Sequence, residues 1–184
     1  MKVNREQFEQ NHEKILESAA KLLREHGFES VTLSAVMKDA GLTHGGFYGH
    51  FQSKDDLVSQ ACAHSAKTLK ADTMNEYCAS YLSEAHRDNP GKGCILAALG
   101  AEAARQGPAV RHELTNNMLQ IIEQLATTMP KGSAKSRRSK AIAAYSSMLG
   151  GLILSRLVDD PQLSKELLTI NSNAVRASLI QKSD

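Results

Sequence analysis

From Phe8 to Leu179 the apolar residues of this chain recur every three or four positions, and no stretch alternates apolar with polar residues between hairpin turns. A step of three or four places side chains on one face of an α-helix, whereas a half-buried strand needs a step of two. The expected fold class is therefore all-α. Glycine, proline and capping residues divide the pattern. Phe8, His12, Ile15, Ala19, Leu22 and Leu23 predict a first helix over about 5–26, ended by Gly27. Thr32 can cap a helix running to Ala40 and ended by Gly41, and Thr43 can cap another reaching about Phe51. Ser53, with Asp56 three residues later, resembles a capping box. It opens a longer helix through Leu57, Val58, Ala61, Cys62, Leu69 and Met74, with a break near Asp72. A further stretch carries Tyr77, Tyr81 and Leu82, and the run from His86 to Gly93 reads as a loop. Helices over about 94–106, 109–128, 137–158 and 162–181 complete a set of about nine. A mobile connection over 130–138 precedes the last two.

Composition removes several classes of function. Lys and Arg number 22 against 20 Asp and Glu, for a net charge of +2, so any nucleic-acid role must come from local arrangement. Aromatic residues make up 4% and Trp is absent, too few rings for a single-strand stacking platform. Cys62, Cys78 and Cys94 are odd in number and form no C-x-x-C, which argues against a disulfide framework or a zinc knuckle. No basic segment followed by an apolar one opens the chain, and the most apolar tract, Met148–Leu154, is far shorter than the ~20 residues a bilayer needs. A cytoplasmic protein with reduced thiols and no membrane is the expectation. No nucleophile elbow, P-loop or H-E-x-x-H motif appears, so an enzyme, a cofactor and a metal are not expected; Cys62-x-His64 is too sparse for metal.

The segment Thr32–Phe51 is the most informative. Two helices of about eight residues joined by Gly41–Leu42 have the proportions of a helix-turn-helix, each too short to be stable alone. Val36, Leu42, Phe47 and Phe51 can pack beneath Leu22, Leu23 and Phe28, which leaves the last short helix facing outward. In a DNA-binding motif of this kind, the N-terminal residues of that helix meet base edges. Here they are Thr43, His44, Gly45 and Gly46, while Tyr48, His50 and Lys54 are donors suited to phosphate oxygens. The four Phe are read as core. Tyr48 is either a phosphate contact or a tyrosine with one buried edge, because Phe47 already takes the inward position.

The stretch from Thr32 to Leu57, above all Phe47-Tyr48-x-His50-Phe51-x-x-Lys54-x-x-Leu57, resembles the DNA-binding region of TetR-type transcriptional regulators. Gly27-Phe28 followed by Thr32 is similar to the family's exit from its first helix. The resemblance covers about residues 10–60. It implies an N-terminal three-helix DNA-binding domain over 1–54 and an effector-binding and dimerisation bundle over 55–184. It also implies that Thr32 caps or touches phosphate, that Ser34, His44 and Gly45 occupy base-reading positions, and that Gly46, Tyr48, His50 and Lys54 occupy backbone-contacting ones. Met37, Gly45, Gly46 and Gly49 depart from the family's pattern, and the glycines predict a recognition helix that orders fully only on DNA. Residues 1–54 balance seven Lys and Arg against seven Asp and Glu, so Lys2, Arg5, Lys38 and Lys54 are expected to face phosphate.

The remainder is larger than a small reader needs. Ile142, Tyr145, Leu149, Leu152, Ile153 and Leu157 form one apolar stripe, and Leu163, Leu167, Leu168, Ile170, Ala174, Val175 and Leu179 a broader one. The resemblance implies a homodimer through residues 137–181. It also implies an effector pocket in the middle helices for a small, partly hydrophobic ligand, for which Tyr77, Tyr81, Cys94, His112, Met118, Tyr145 and Met148 are candidate lining residues. Cys94 follows Lys92-Gly93 at an expected helix start, where cation and dipole would favour a thiolate. The basic run Lys131, Lys135, Arg137, Arg138 and Lys140 reads as a solvated loop, with a second DNA contact as the lesser option. Three readings stay open: a ligand-gated repressor on a double-stranded palindromic operator, a thiol-based regulator of the same fold, and a helical adaptor without DNA binding.

Overall fold

The structure is a computed structural model that describes residues 5–65, 73–129 and 132–180. The described residues form α-helices and 3-10 turns and no strand. They comprise α1 (Arg5–Ser30), α2 (Leu33–Asp39), a 3-10 turn (His44–Gly49), α3 (Lys54–His64), α4 (Met74–Tyr81), α5 (Glu84–Asp88), a second 3-10 turn (Pro90–Lys92), α6 (Ile95–Ala103), α7 (Pro108–Thr128), α8 (Ala134–Leu157) and α9 (Pro161–Ile180). The expectations that fell on Lys2, Leu69, Asp72 and Lys131 lie outside the described residues.

Most boundaries follow from the chemistry read in the sequence. Thr32 caps α2 by accepting from the Ala35 N–H at 3.2 Å, and Ser53 caps α3 by accepting from the Asp56 N–H at 3.0 Å. Thr73 and Glu76 make a full reciprocal capping box on α4, which the sequence reading passed over. Two expectations are corrected. The run from His86 to Gly93 is not a loop: α5 and the Pro90–Lys92 turn occupy it, because Ser83 accepts from the His86 N–H at 3.1 Å and starts a helix three residues earlier. The connection after α7 is also shorter than expected. Ser133 accepts from the Ser136 N–H at 3.1 Å, so Lys135, Arg137, Arg138 and Lys140 lie on the first turns of α8 and not in a loop.

α1 is the central support. Ile15, Ala19 and Leu23, four residues apart, are almost wholly buried, and α1 packs on α2, α3, α6 and the Pro90–Lys92 turn. Lys21 on α1 donates to Asp39 on α2 at 2.8 Å, and this bond holds the Asp39 carboxyl below its usual range. α7 lies against α3, α6 and α8, and α8 packs along α9. One continuous apolar core runs from Val36, Phe47 and Phe51 through Leu57 and Leu99 to Met148, Leu152 and Val175.

Where α1 should end, Gly27 takes φ 80° and ψ 174°, a left-handed conformation that breaks the helix before a last turn to Ser30. The break turns Phe28 into the core at 3% exposure. It also frees the Phe28 peptide: its N–H donates to Glu102 Oε2 on α6 at 3.0 Å, and its carbonyl accepts from Lys54 Nζ on α3 at 3.3 Å. A Cβ on residue 27 would sit 2.8 Å from Glu102 Oε1. Gly27→Ala is therefore expected to destabilise by at least about 1 kcal/mol, and Glu102→Ala by about 1–3 kcal/mol through the unpaired amide. Urea midpoints of the two variants check both values.

Candidate functional site

The segment between α2 and α3 carries the residues proposed from the sequence to meet nucleic acid. Gly41, at φ 71°, ends α2, and the Leu42 N–H closes on the Met37 carbonyl at 2.8 Å. Phe47 is fully buried and stacks on Phe51 with ring centroids 5.6 Å apart. That anchor turns its neighbours outward. Tyr48 is 71% exposed and meets Phe47 only edge-on, so of its two sequence readings the outward one matches the geometry. Thr43, His44, Gly45 and Gly46 are exposed, and so are Thr32 and Ser34 at the start of α2. Thr43 makes no side-chain capping bond.

Four details differ from expectation. The outward element is not an α-helix from Thr43 to Phe51 but a 3-10 turn, His44–Gly49, with the Gly46 N–H on the Thr43 carbonyl at 3.1 Å and the His50 N–H on the Phe47 carbonyl at 2.9 Å. Gly45, Gly46 and Gly49 explain this, since each weakens an α-helix by about 1 kcal/mol relative to Ala. His50 is half-buried, stacked on Phe8 at 4.1 Å, with Nδ1 withdrawn from solvent and unbonded. Burial, and then the charge of His12, hold the His50 pKa below its ordinary value. Phe8 is 41% exposed and forms the rim of this stack, so it is not a core residue. Lys54 rests on the Phe28 carbonyl and keeps its other two N–H donors. Met37, where the sequence departs from the family, is 1% exposed, with its Cε 3.7 Å from where a Gly46 Cβ would stand; the larger side chain fills space that the glycine leaves.

Neither Gly45 nor Gly49 needs its missing Cβ, because nothing lies within 4 Å of that position and neither φ is positive. Gly45→Ala with Gly49→Ala is expected to stabilise the fold by about 1 kcal/mol and to raise amide protection over residues 43–50. Thermal unfolding and hydrogen exchange measure the two effects.

The candidate effector residues separate into two groups. Tyr77, Tyr81, Tyr145 and Met148 are buried, with Tyr81 and Tyr145 ring centroids 5.9 Å apart. Half-buried Cys94, the N-cap of α6, joins them with Sγ 3.3 Å from the Tyr145 hydroxyl. The Tyr81 hydroxyl is buried without a partner. Burial raises the pKa of all three tyrosines. His112 and Met118 do not belong here: both lie on the exposed face of α7, with Met118 40% exposed. The helical step that marks a core face cannot tell which of two faces turns inward. Cys62 is buried, its thiol pushed up to about 12, and His64 turns instead to Glu13 of α1 at 3.6 Å.

His86 is the member of this region that the sequence reading missed, since it was assigned to a loop. Its Nδ1–H donates to the Tyr81 carbonyl at 2.7 Å, and its Nε2 accepts from the Cys94 N–H at 3.0 Å. The second bond requires Nε2 to be unprotonated, so the pair is made only by the neutral ring, and burial lowers its pKa against the pull of the Tyr81 carbonyl. The unfolded chain protonates His86 at about 6.5, where the folded chain still resists. This contribution to stability is therefore full above that pH and is lost as pH falls below it. The melting temperature is expected to drop between pH 7 and 5.5, and His86→Gln is expected to flatten the drop in a calorimetric pH series.

Comparison with known proteins agrees with this geometry. Residues 15–61 match the family described as bacterial regulatory proteins, tetR family, and residues 71–170 match the tetracyclin repressor-like C-terminal domain. The HTH-type transcriptional regulator UidR of Escherichia coli K12 is 26% identical over 137 residues, which cover 70% of this chain and 69% of that one. In fold the chain resembles the reduced form of E. coli NemR, with a TM-score of 0.70 at 19% identity over 94% of this chain and 98% of that one. It also resembles a TetR regulator from Legionella pneumophila, with a TM-score of 0.72 at 17% identity over 90% and 95%. Among the described residues no helix is long and apolar enough to cross a membrane. With the helix-turn-helix and the bundle behind it each matched in turn, the chain belongs to the TetR family of DNA-binding transcriptional regulators.

Proposed function

We propose that the chain is a ligand-responsive repressor that binds a palindromic DNA operator as a homodimer. Residues 1–54 read the duplex, and residues 55–184 bind an effector and pair the subunits. The observation that carries the reading is the opposition within the His44–Gly49 turn: Phe47 is fully buried while Tyr48 beside it is 71% exposed. A tyrosine so placed, next to the open Thr43, His44, Gly45 and Gly46, suits a duplex groove. His44 with Ser34 contacts bases, and Thr32, Tyr48 and the spare donors of Lys54 contact phosphates. His50 serves by positioning this turn against Phe8.

Pairing is supported by what α8 and α9 leave uncovered. Ile142, Ile153, Leu154 and Leu157 on α8, with Leu163 and Ile170 on α9, are 39–75% exposed. Nothing lies within 4 Å of a Cβ position at Gly150, which leaves room for a partner helix to approach closely. One reader meets few base pairs, so pairing supplies the specificity of a two-half-site operator. Effector response follows if a ligand favours one setting of the bundle, because α3 and α6 both hold the Phe28 peptide next to the reader.

A second reading rests on Cys94, whose Sγ meets the Tyr145 hydroxyl near the unpartnered Tyr81 hydroxyl. A thiol there could report alkylation to the same helices.

A gel shift on a palindrome taken from beside the gene tests the main reading. Tyr48→Phe and His44→Ala are each expected to weaken binding by about tenfold, and Leu157→Glu with Ile153→Glu to give a monomer by light scattering that no longer shifts the operator. A wild-type monomer that binds no duplex would overturn the reading. N-ethylmaleimide releasing DNA from the wild type but not from Cys94→Ser would favour the thiol.

A further inference from the structure

Read along the chain, His64 has only Cys62 nearby as a second metal-ligating side chain, and that pair is too sparse to hold an ion. Packing gives His64 other neighbours. α3 lies along α1, and His64, the last residue of α3, meets Glu13 and Glu17 of α1. The two glutamates are four residues apart, so they share one helix face about 6 Å apart along the axis. One ligand atom from each of the three side chains lies within 4.8 Å of the other two. Cys62 is not a fourth donor, because its thiol is buried and pushed up to about 12.

The imidazole sets this trio apart from an acidic patch. It comes from a different helix, its side chain is only 13% exposed, and it turns Nδ1 to Glu13 Oε1 at 3.6 Å. That separation is too long for a good hydrogen bond. It is close to the ~3.3 Å that two ligands keep when both bind one zinc ion in tetrahedral geometry. Glu17 is exposed and makes no hydrogen bond or ion pair among the described residues, so its side chain can swing to close the remaining distance. Ligand chemistry then selects the ion. Magnesium and calcium take oxygen donors, and soft copper(I) takes sulfur. One imidazole with two carboxylates suits zinc, with water in the fourth position.

We propose that Glu13, Glu17 and His64 bind a divalent zinc ion that clamps α1 to α3. Lys54, the first residue of α3, already holds the Phe28 carbonyl near the end of α1. The ion closes the far end of the same helix pair, at the last residue of α3. The two helices that flank the reader are then pinned at both ends. The bearing of this clamp on DNA rests on the regulator reading above; occupancy of the site does not.

The test uses the full chain without DNA and zinc chloride as the probe. Calorimetry gives affinity, long-range ¹H–¹⁵N NMR of the histidine rings gives location, and thermal unfolding reads the clamp. One zinc ion is expected to bind saturably per chain, to move the His64 Nδ1 signal and to raise the melting temperature. Glu17→Gln, altered at an exposed position, and His64→Gln are each expected to weaken zinc binding at least about tenfold and to lose the rise in melting temperature. Magnesium at the same concentration is expected to leave the His64 ring signals in place. The absence of saturable zinc binding, unchanged affinity in Glu17→Gln, or a magnesium response equal to that of zinc would each overturn the site. The Glu17→Gln result decides the matter even if His64→Gln does not fold. If zinc binds with these dependences while operator affinity is the same with and without it, the site stands and its bearing on DNA falls.

Discussion

The Phe28 peptide is the constraint on which the arrangement of this chain depends. A left-handed Gly27 is the one place where α1 can break without a clashing Cβ, and the break sends Phe28 inward. Its amide and carbonyl, no longer inside a helical ladder, must find partners elsewhere. They find Glu102 on α6 and Lys54 on α3. One peptide thus joins the end of the first helix to the helix that follows the reader and to a helix of the bundle. A neighbouring tie, Arg24 Nε on the Gly91 carbonyl at 2.8 Å, adds the Pro90–Lys92 turn to the same junction. The reader cannot tilt on the bundle without stretching at least one of these bonds.

Much of this was legible in the sequence where a local rule decides the outcome. Thr32 and Ser53 announce their helices because their hydroxyls bond an amide three residues on, whatever the rest of the chain does. Gly41 announces a turn for the same kind of reason. Phe47 and Phe51 could be assigned to the core because their step matches the helix face already implied by Leu23 and Phe28. Legibility failed where the outcome depends on a distant partner. Nothing near Lys54 foretells the Phe28 carbonyl, and nothing near Phe8 foretells the His50 ring. His112 and Met118 look like core at helical spacing, yet α7 buries Leu114, Asn117, Ile122 and Leu125 instead. His86 was hidden because polar residues around Pro90 read as loop, when a serine cap three residues earlier sufficed to start a helix.

The glycines of the outward turn shape what it can recognise. With Gly45, Gly46 and Gly49 in six residues, the turn offers little side-chain chemistry to base edges beyond His44. If the turn meets a duplex as proposed, its small residues would let the backbone approach closely, and groove width and deformability would carry more of the discrimination than a row of long polar side chains would. Charge does not compensate, because the first 54 residues are balanced. Recognition of this kind would need two readers held at a defined spacing, which would move the burden of specificity from the turn to whatever sets that spacing.

In the homodimer proposed above that burden would fall on α8 and α9, whose apolar residues divide between two faces. The single stripe read from Ile142 to Leu157 splits in two once the helix is packed. Tyr145 and Leu152 turn into the core, while Ile142, Ile153 and Leu157 turn out. On α9, Leu168 and Val175 go inward, and Leu163 and Ile170 go outward. A helix that only closed a core would carry polar residues on its second face. Two adjacent helices that both keep large aliphatic groups outward make a surface suited to a partner, in line with the proposed pairing. The inner faces of the same helices touch the tyrosine cluster and, through α7, the α3 seam. The elements that would fix the distance between two readers are thus the ones a ligand in the bundle would disturb, so in the proposed regulator spacing and ligand response would share one mechanical origin.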